Sequence, residues 1–127
     1  MQSVGVDIIE IERIARALER WGARLLRHVY TDAELARCRG RVPELAARFA
    51  AKEAISKALG TGLRGISWTE MEILSDGRGK PIVALHGRAL ARAEALGLRE
   101  WAISLSHSDH YAVALVVARE GPPASDG

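Results

Sequence analysis

The chain has 127 residues, 48% of them hydrophobic and 27% charged. These are the proportions of one globular domain, and they exclude disorder of the whole chain. The longest unbroken apolar run, Tyr111 to Ala118, is far short of the roughly 20 residues a membrane span needs. No basic segment followed by an apolar stretch and a cleavage site marks a secretory signal. Cys38 stands alone, so no internal disulfide can form. That fits a reducing cytosol, and a soluble cytoplasmic domain is expected. The net charge of +2 is too small to demand nucleic acid, yet all the basic residues except Lys52, Lys57 and Lys80 are arginines. Arginine is the planar, bidentate partner of phosphate and carboxylate, so an anionic ligand or partner is one reading. A compositional bias shared with the abundant alanine is the other.

Ser3 to Ile9 is a short β-rich run and predicts a strand. From Glu10 the period becomes helical. Ile11, Ile14, Leu18, Trp21 and Leu25 fall in one apolar arc, and Arg13, Arg16, Arg20, Arg24 and Arg27 gather on the opposite side. Gly22 marks a break or bend. Thr31-Asp-Ala-Glu34 has capping-box form and predicts a second helix to about Arg39. Pro43 can start a helix and Gly60 can end one, and the residues between them are almost all good helix formers. Ile66 to Leu74 predicts a strand, Ser75 to Gly79 a turn, and Pro81 to Leu85 a second strand. Gly87 to Leu96 predicts a helix stopped by Gly97. Trp101 to Ser106 and Tyr111 to Ala118 predict a hairpin about His107-Ser-Asp-His110. The order predicts an α+β domain over residues 1–118, with a flexible tail over 119–127.

Several residues sit where ordinary packing does not want them. Asp7 interrupts an apolar strand, where its desolvation costs several kcal/mol unless a cation or hydrogen bonds satisfy it. It can cap the following helix, or it can serve a metal or catalysis. Glu53 and Lys57 are four apart on the long helix, on the face that carries Ala46, Phe49 and Ala50. They are a surface ion pair, or an acid for a cation beside a base for a phosphate. Gly60-Thr-Gly-Leu-Arg-Gly65 matches G-x-G-x-x-G, but it closes a helix and leads into a strand, the reverse of a dinucleotide fingerprint. Its glycines still permit close backbone approach by a ligand. Ser104, Ser106, His107, Asp109 and His110 offer the residue types of a Ser-His-Asp triad or of part of a zinc site, or they are simply polar turn residues.

Four segments together resemble one family: GVDIIEIERI (Gly5–Ile14), RFAAKEAISKALGTG (Arg48–Gly62), GRGKPIV (Gly77–Val83) and ISLSHSDHYAVA (Ile103–Ala114). The chain resembles the short bacterial 4′-phosphopantetheinyl transferases, the holo-[acyl-carrier-protein] synthases. The resemblance implies their α+β fold, an antiparallel sheet packed with a long central helix in a single short domain. It also implies transfer of 4′-phosphopantetheine from coenzyme A to a serine of apo-acyl carrier protein, releasing adenosine 3′,5′-bisphosphate, in fatty acid biosynthesis. By the same resemblance Asp7 and Glu53 bind Mg²⁺, and Lys57, the third catalytic residue, contacts the pyrophosphate. Arg48, Gly60, Thr61 and Gly62 flank the nucleotide, and Lys80, Pro81, Ser106 and His107 belong to the coenzyme A pocket. A homotrimer with active sites between subunits is implied, with no nucleic acid or membrane partner. An acidic acyl carrier protein would meet the arginine face of Arg13, Arg16, Arg20 and Arg24.

Overall fold

The computed structural model describes residues 1–122; residues 123–127 of the expected tail lie outside them. Strand β1 (Gln2–Glu10) leads directly into helix α1 (Ile11–Trp21). Gly22, at φ 54° and ψ −132°, breaks the helical path, and α2 (Ala23–Val29) departs in a new direction. The continuous apolar arc expected across this point is therefore interrupted. Ile11 and Ile14 are buried, Leu18 and Leu25 are half-buried, and Trp21 is 47% exposed, its ring flanked by the Arg20 and Arg24 guanidinium groups.

Thr31 and Glu34 form the expected capping box at the start of α3 (Asp32–Cys38), and Arg39 closes it in the left-handed conformation. The long helix α4 (Val42–Ala58) follows. The strand expected from Ile66 begins only at Met71. A local capping box between Ser67 and Glu70 winds Trp68–Glu70 into a 3₁₀ turn instead, overriding the β-rich texture of the sequence. Strands β2 (Met71–Ser75) and β3 (Pro81–Leu85) form a hairpin, and α5 (Gly87–Leu96) ends at Gly97 as expected. Strands β4 (Leu98–His107) and β5 (Tyr111–Glu120) are longer than their apolar cores suggested. Arg119 and Glu120, expected to open the tail, pair with β4 and β1.

The larger sheet has the order β1-β5-β4 and is antiparallel throughout; β2 and β3 form a separate two-stranded sheet. One face of the larger sheet is packed under α4. Gly5 and Ile9 of β1 and Ala112, Ala114, Val116 and Ala118 of β5 point inward and are buried. Small side chains on both surfaces bring the helix close. A Cβ on Gly5 would overlap the carbonyl of Ala54, while the Ser3 hydroxyl donates to the Ala58 carbonyl at 2.5 Å.

Gly5→Ala is expected to destabilise the fold by about 1–3 kcal/mol, the cost of overpacking against backbone that cannot give. Gly77→Ala, with open space around its Cβ and no positive φ, is expected to be near neutral. Thermal melts of the two variants check the contrast; equal melting temperatures would refute it.

Candidate active site

Asp7 occupies the inward-facing position between Gly5 and Ile9, at the edge of the sheet. It does not cap α1: the N-cap is Glu10, and no side chain bonds there. Its Oδ1 instead accepts a hydrogen bond from Lys57 Nζ at 3.0 Å, and the same ammonium donates to the Val6 carbonyl at 3.0 Å. Lys57 is 52% exposed and Asp7 20% exposed. The base beside Glu53 is thus an open one, and it pairs with Asp7.

Glu53 lies half-buried one turn before Lys57. Burial raises its pKa above the ordinary carboxyl value, and the neighbouring Asp7 charge raises it further; Lys57 and Arg13 act in the opposite sense. Two carboxylates thus stand close enough to repel each other, beside a lysine and an arginine, and are the residues here that could hold a divalent cation. Mg²⁺ prefers hard oxygen donors and keeps several of its positions for water and phosphate, so two acids suit it. Among the described residues no cluster of three or more His, Cys, Asp or Glu could hold a metal. A zinc site at His107 and His110 is therefore not built.

A second group forms on the other flank of α4. Arg48 is 3% exposed and donates to Glu44 at 3.4 Å and to Ser75 Oγ at 3.3 Å. Its Nε has no partner. Arg48, Ser75, Gly79, Pro81 and His107 line one cavity of about 240 Å³, together with Arg37. His107 Nε2 stands 3.8 Å from the Glu44 carboxylate. Lys80, between Gly79 and Pro81, is exposed at its rim. Ser106 is different: neighbouring strand residues point to opposite faces, so it turns to the far side of the sheet from His107.

The two groups do not meet within one chain. Asp7 is on β1 and His107 on β4, with β5 between them, a lateral separation of about 10 Å. Helix α4 packs against all three strands, with Glu53 and Lys57 toward β1 and Arg48 toward the β2–β3 hairpin. Gly60, Thr61 and Gly62 continue from the Lys57 end of the helix, Gly60 and Gly62 at positive φ. The arginines Arg13, Arg16, Arg20 and Arg24 are all exposed, and Arg13 stands near enough to Glu53 to affect its titration.

The sequence matches the model of the 4′-phosphopantetheinyl transferase superfamily over residues 3–116. The chain belongs to that superfamily. A holo-[acyl-carrier-protein] synthase from Herpetosiphon aurantiacus is 52% identical over 124 residues, covering 92% of this chain and 98% of the relative. One from Dehalococcoides mccartyi is 50% identical over 120 residues, covering 94% and 100%. Among solved structures, the Helicobacter pylori holo-[acyl-carrier-protein] synthase in complex with coenzyme A superimposes with a TM-score of 0.84 at 27% identity, covering 91% of this chain and 99% of that one. The Neisseria meningitidis holo-[acyl-carrier-protein] synthase gives 0.83 at 36% identity, covering 93% and 98%. The expected α+β transferase fold is the fold of these relatives.

The raised Glu53 pKa has a consequence for stability. A carboxyl that binds its proton more tightly in the folded state than in the unfolded state stabilises the fold least when it is ionised. Glu53→Gln is therefore expected to melt above the parent at neutral pH, with the gap closing as pH falls through the Glu53 titration. Melts across pH 4–8 check this (a span of about four units around the carboxyl range). A variant that melts below the parent at pH 7 would contradict it.

Proposed function

We propose that this chain transfers the 4′-phosphopantetheine group of coenzyme A to a serine hydroxyl of apo-acyl carrier protein, with Asp7, Glu53 and Lys57 as its catalytic residues. The observation that carries the assignment is the convergence of those three side chains on one edge of the sheet, in a chain that belongs to this transferase superfamily. The serine oxygen forms a new bond to the β-phosphorus, and the P–O bond to the nucleotide breaks. Adenosine 3′,5′-bisphosphate leaves with the bonding electrons.

Each residue has a task that follows from its surroundings. Asp7 and Glu53 are the acids that would hold Mg²⁺, whose contribution when bound is to neutralise charge on the pyrophosphate oxygens. Lys57, half exposed beside Asp7, adds a point charge to the same phosphates. The serine proton must leave as its oxygen attacks, to Glu53 or to a water held beside the two acids. The Gly60–Gly62 backbone follows directly and can approach the phosphates closely. The cavity around buried Arg48, with its unpartnered Nε, His107 and the Lys80–Pro81 turn, suits the anionic nucleotide end of coenzyme A.

Since the two groups flank α4 on opposite sides, a complete site needs the acid edge of one copy beside the Arg48 cavity of another. The outer face of the sheet supports such an assembly. Val4, Val6 and Ile8 are each more than half exposed there and align with Val117, Leu115 and Val113 of β5. A contiguous apolar surface of this kind marks an interface. We read the assembly as a homotrimer with active sites between subunits. Arg13, Arg16, Arg20 and Arg24 run away from Glu53 along α1 and the start of α2, the arrangement that would steer an acidic carrier protein to the site. A cytoplasmic enzyme of fatty acid biosynthesis fits this chemistry, and no helix is long and apolar enough to cross a membrane among the described residues.

Intact-mass spectrometry of an apo-carrier incubated with the protein, coenzyme A and Mg²⁺ is expected to show addition of phosphopantetheine at the carrier serine. EDTA, Asp7→Ala and Glu53→Ala should each lower the rate by about 10²–10³-fold, the scale for losing a charge-stabilising group. Retained activity in both variants would overturn the site. Arg13→Glu with Arg16→Glu should raise the carrier KM at least about tenfold at low salt, with the defect shrinking as salt rises. A carrier KM unchanged at low salt would remove the docking face. Val6→Glu with Leu115→Glu should give an inactive monomer by light scattering; an active oligomer would refute the assembly.

A further inference from the structure

Lys52 and Glu34 are fully buried and take no part in the chemistry above. The Lys52 ammonium uses all three of its hydrogens: it donates to Glu34 Oε1 at 2.8 Å, to the Trp68 carbonyl at 3.0 Å and to the Met71 carbonyl at 2.7 Å. Glu34 in turn accepts from the Thr31 and Ile73 amides, each at 2.9 Å. The network joins the start of α3, the middle of α4, the 3₁₀ turn and β2. Desolvation of such a pair offsets most of its attraction, so net stability is a poor reason for its presence. What it fixes is geometry.

The β2–β3 hairpin shares no backbone ladder with the larger sheet, so its placement against α4 depends on side chains. Two rungs supply the polar part of that placement. Lys52 and Glu34 hold Met71 and Ile73; one helical turn earlier, Arg48 holds Ser75 Oγ. Lys52 and Arg48, one helical turn apart, reach the two ends of β2, while Glu34 of α3 holds Ile73 between them. The lower rung sets the register, and the upper rung lies in the wall of the Arg48 cavity. That wall continues through Gly79 and Pro81 on the same hairpin.

We infer that Lys52 and Glu34 are positioning residues that lock the β2–β3 hairpin in register with α4 and so shape the Arg48 cavity for the nucleotide end of coenzyme A. The inference rests on the assignment of that cavity made above. Arg48→Ala tests that assignment separately: coenzyme A affinity unchanged by Arg48→Ala would remove the cavity's role itself.

The test is calorimetric binding of coenzyme A with steady-state kinetics, on Lys52→Met and on the neutral pair Lys52→Met with Glu34→Gln. Lys52→Met leaves a buried carboxylate unpaired and should melt lowest; the neutral pair should recover part of that loss. Both should weaken coenzyme A in Kd and KM by about tenfold, the scale expected when a binding wall shifts by a fraction of an ångström. The kcat at saturating coenzyme A and the carrier KM should hold. If neither folds, Glu34→Gln alone decides by the same readouts, with a smaller rise in Kd expected. A folded variant with parental Kd and KM for coenzyme A, whatever its melting temperature, would overturn the proposal.

Discussion

Helix α4 can lie against strand β1 only because position 5 carries no side chain. With Gly5 beneath the Ala54 carbonyl and alanines facing alanines elsewhere, backbone approaches backbone, and the inward row of β1 comes within reach of the helix. Two residues beyond Gly5 that row delivers Asp7. Glu53, the residue before Ala54, and Lys57, about one turn after it, come to the same edge of α4. The acids are paired by packing, and their mutual repulsion is held in place by the surrounding fold. A looser helix would let them separate and would weaken any shared hold on a cation.

The same helix divides the site. Its β1 side carries the acids and Lys57, and its opposite side carries Arg48 against the hairpin. A helix about 10 Å across stands between them. One chain therefore presents two separate surfaces on its two flanks, and in the assembly proposed above its bare sheet face would join copies without covering either. Under that proposal the acid edge, the Arg48 cavity and the apolar face form one arrangement.

Much of this was legible in the sequence where a strong local signal agreed with the tertiary outcome. The charge at Asp7 in an apolar run, the Glu53–Lys57 spacing and the glycine after α4 all point to the candidate site, and the strand and helix order survives nearly unchanged. The failures have separate physical causes. At Ile66–Leu74 a four-residue capping box outweighed β propensity. At Trp21, a single glycine after the residue ended the helix and left an apolar ring at the surface between two arginines. Lys52 was not singled out in the sequence, and only the position of β2, far along the chain, makes it buried. Its signal was present in the alanines of α4, which leave that helix few exposed faces. The split of the site could not be read from spacing at all, since it depends on strand order.

Subunit complementation tests the divided site most directly. Asp7→Ala and a second variant carrying Arg48→Ala with His107→Ala would be assayed alone and after unfolding and refolding as an equal mixture. The account predicts that each variant alone transfers almost no phosphopantetheine. The mixture should recover activity in about one quarter of its sites, those pairing an intact acid edge with an intact cavity from the adjacent copy. A mixture no more active than its components, with mixed oligomers verified by native mass spectrometry, would contradict it.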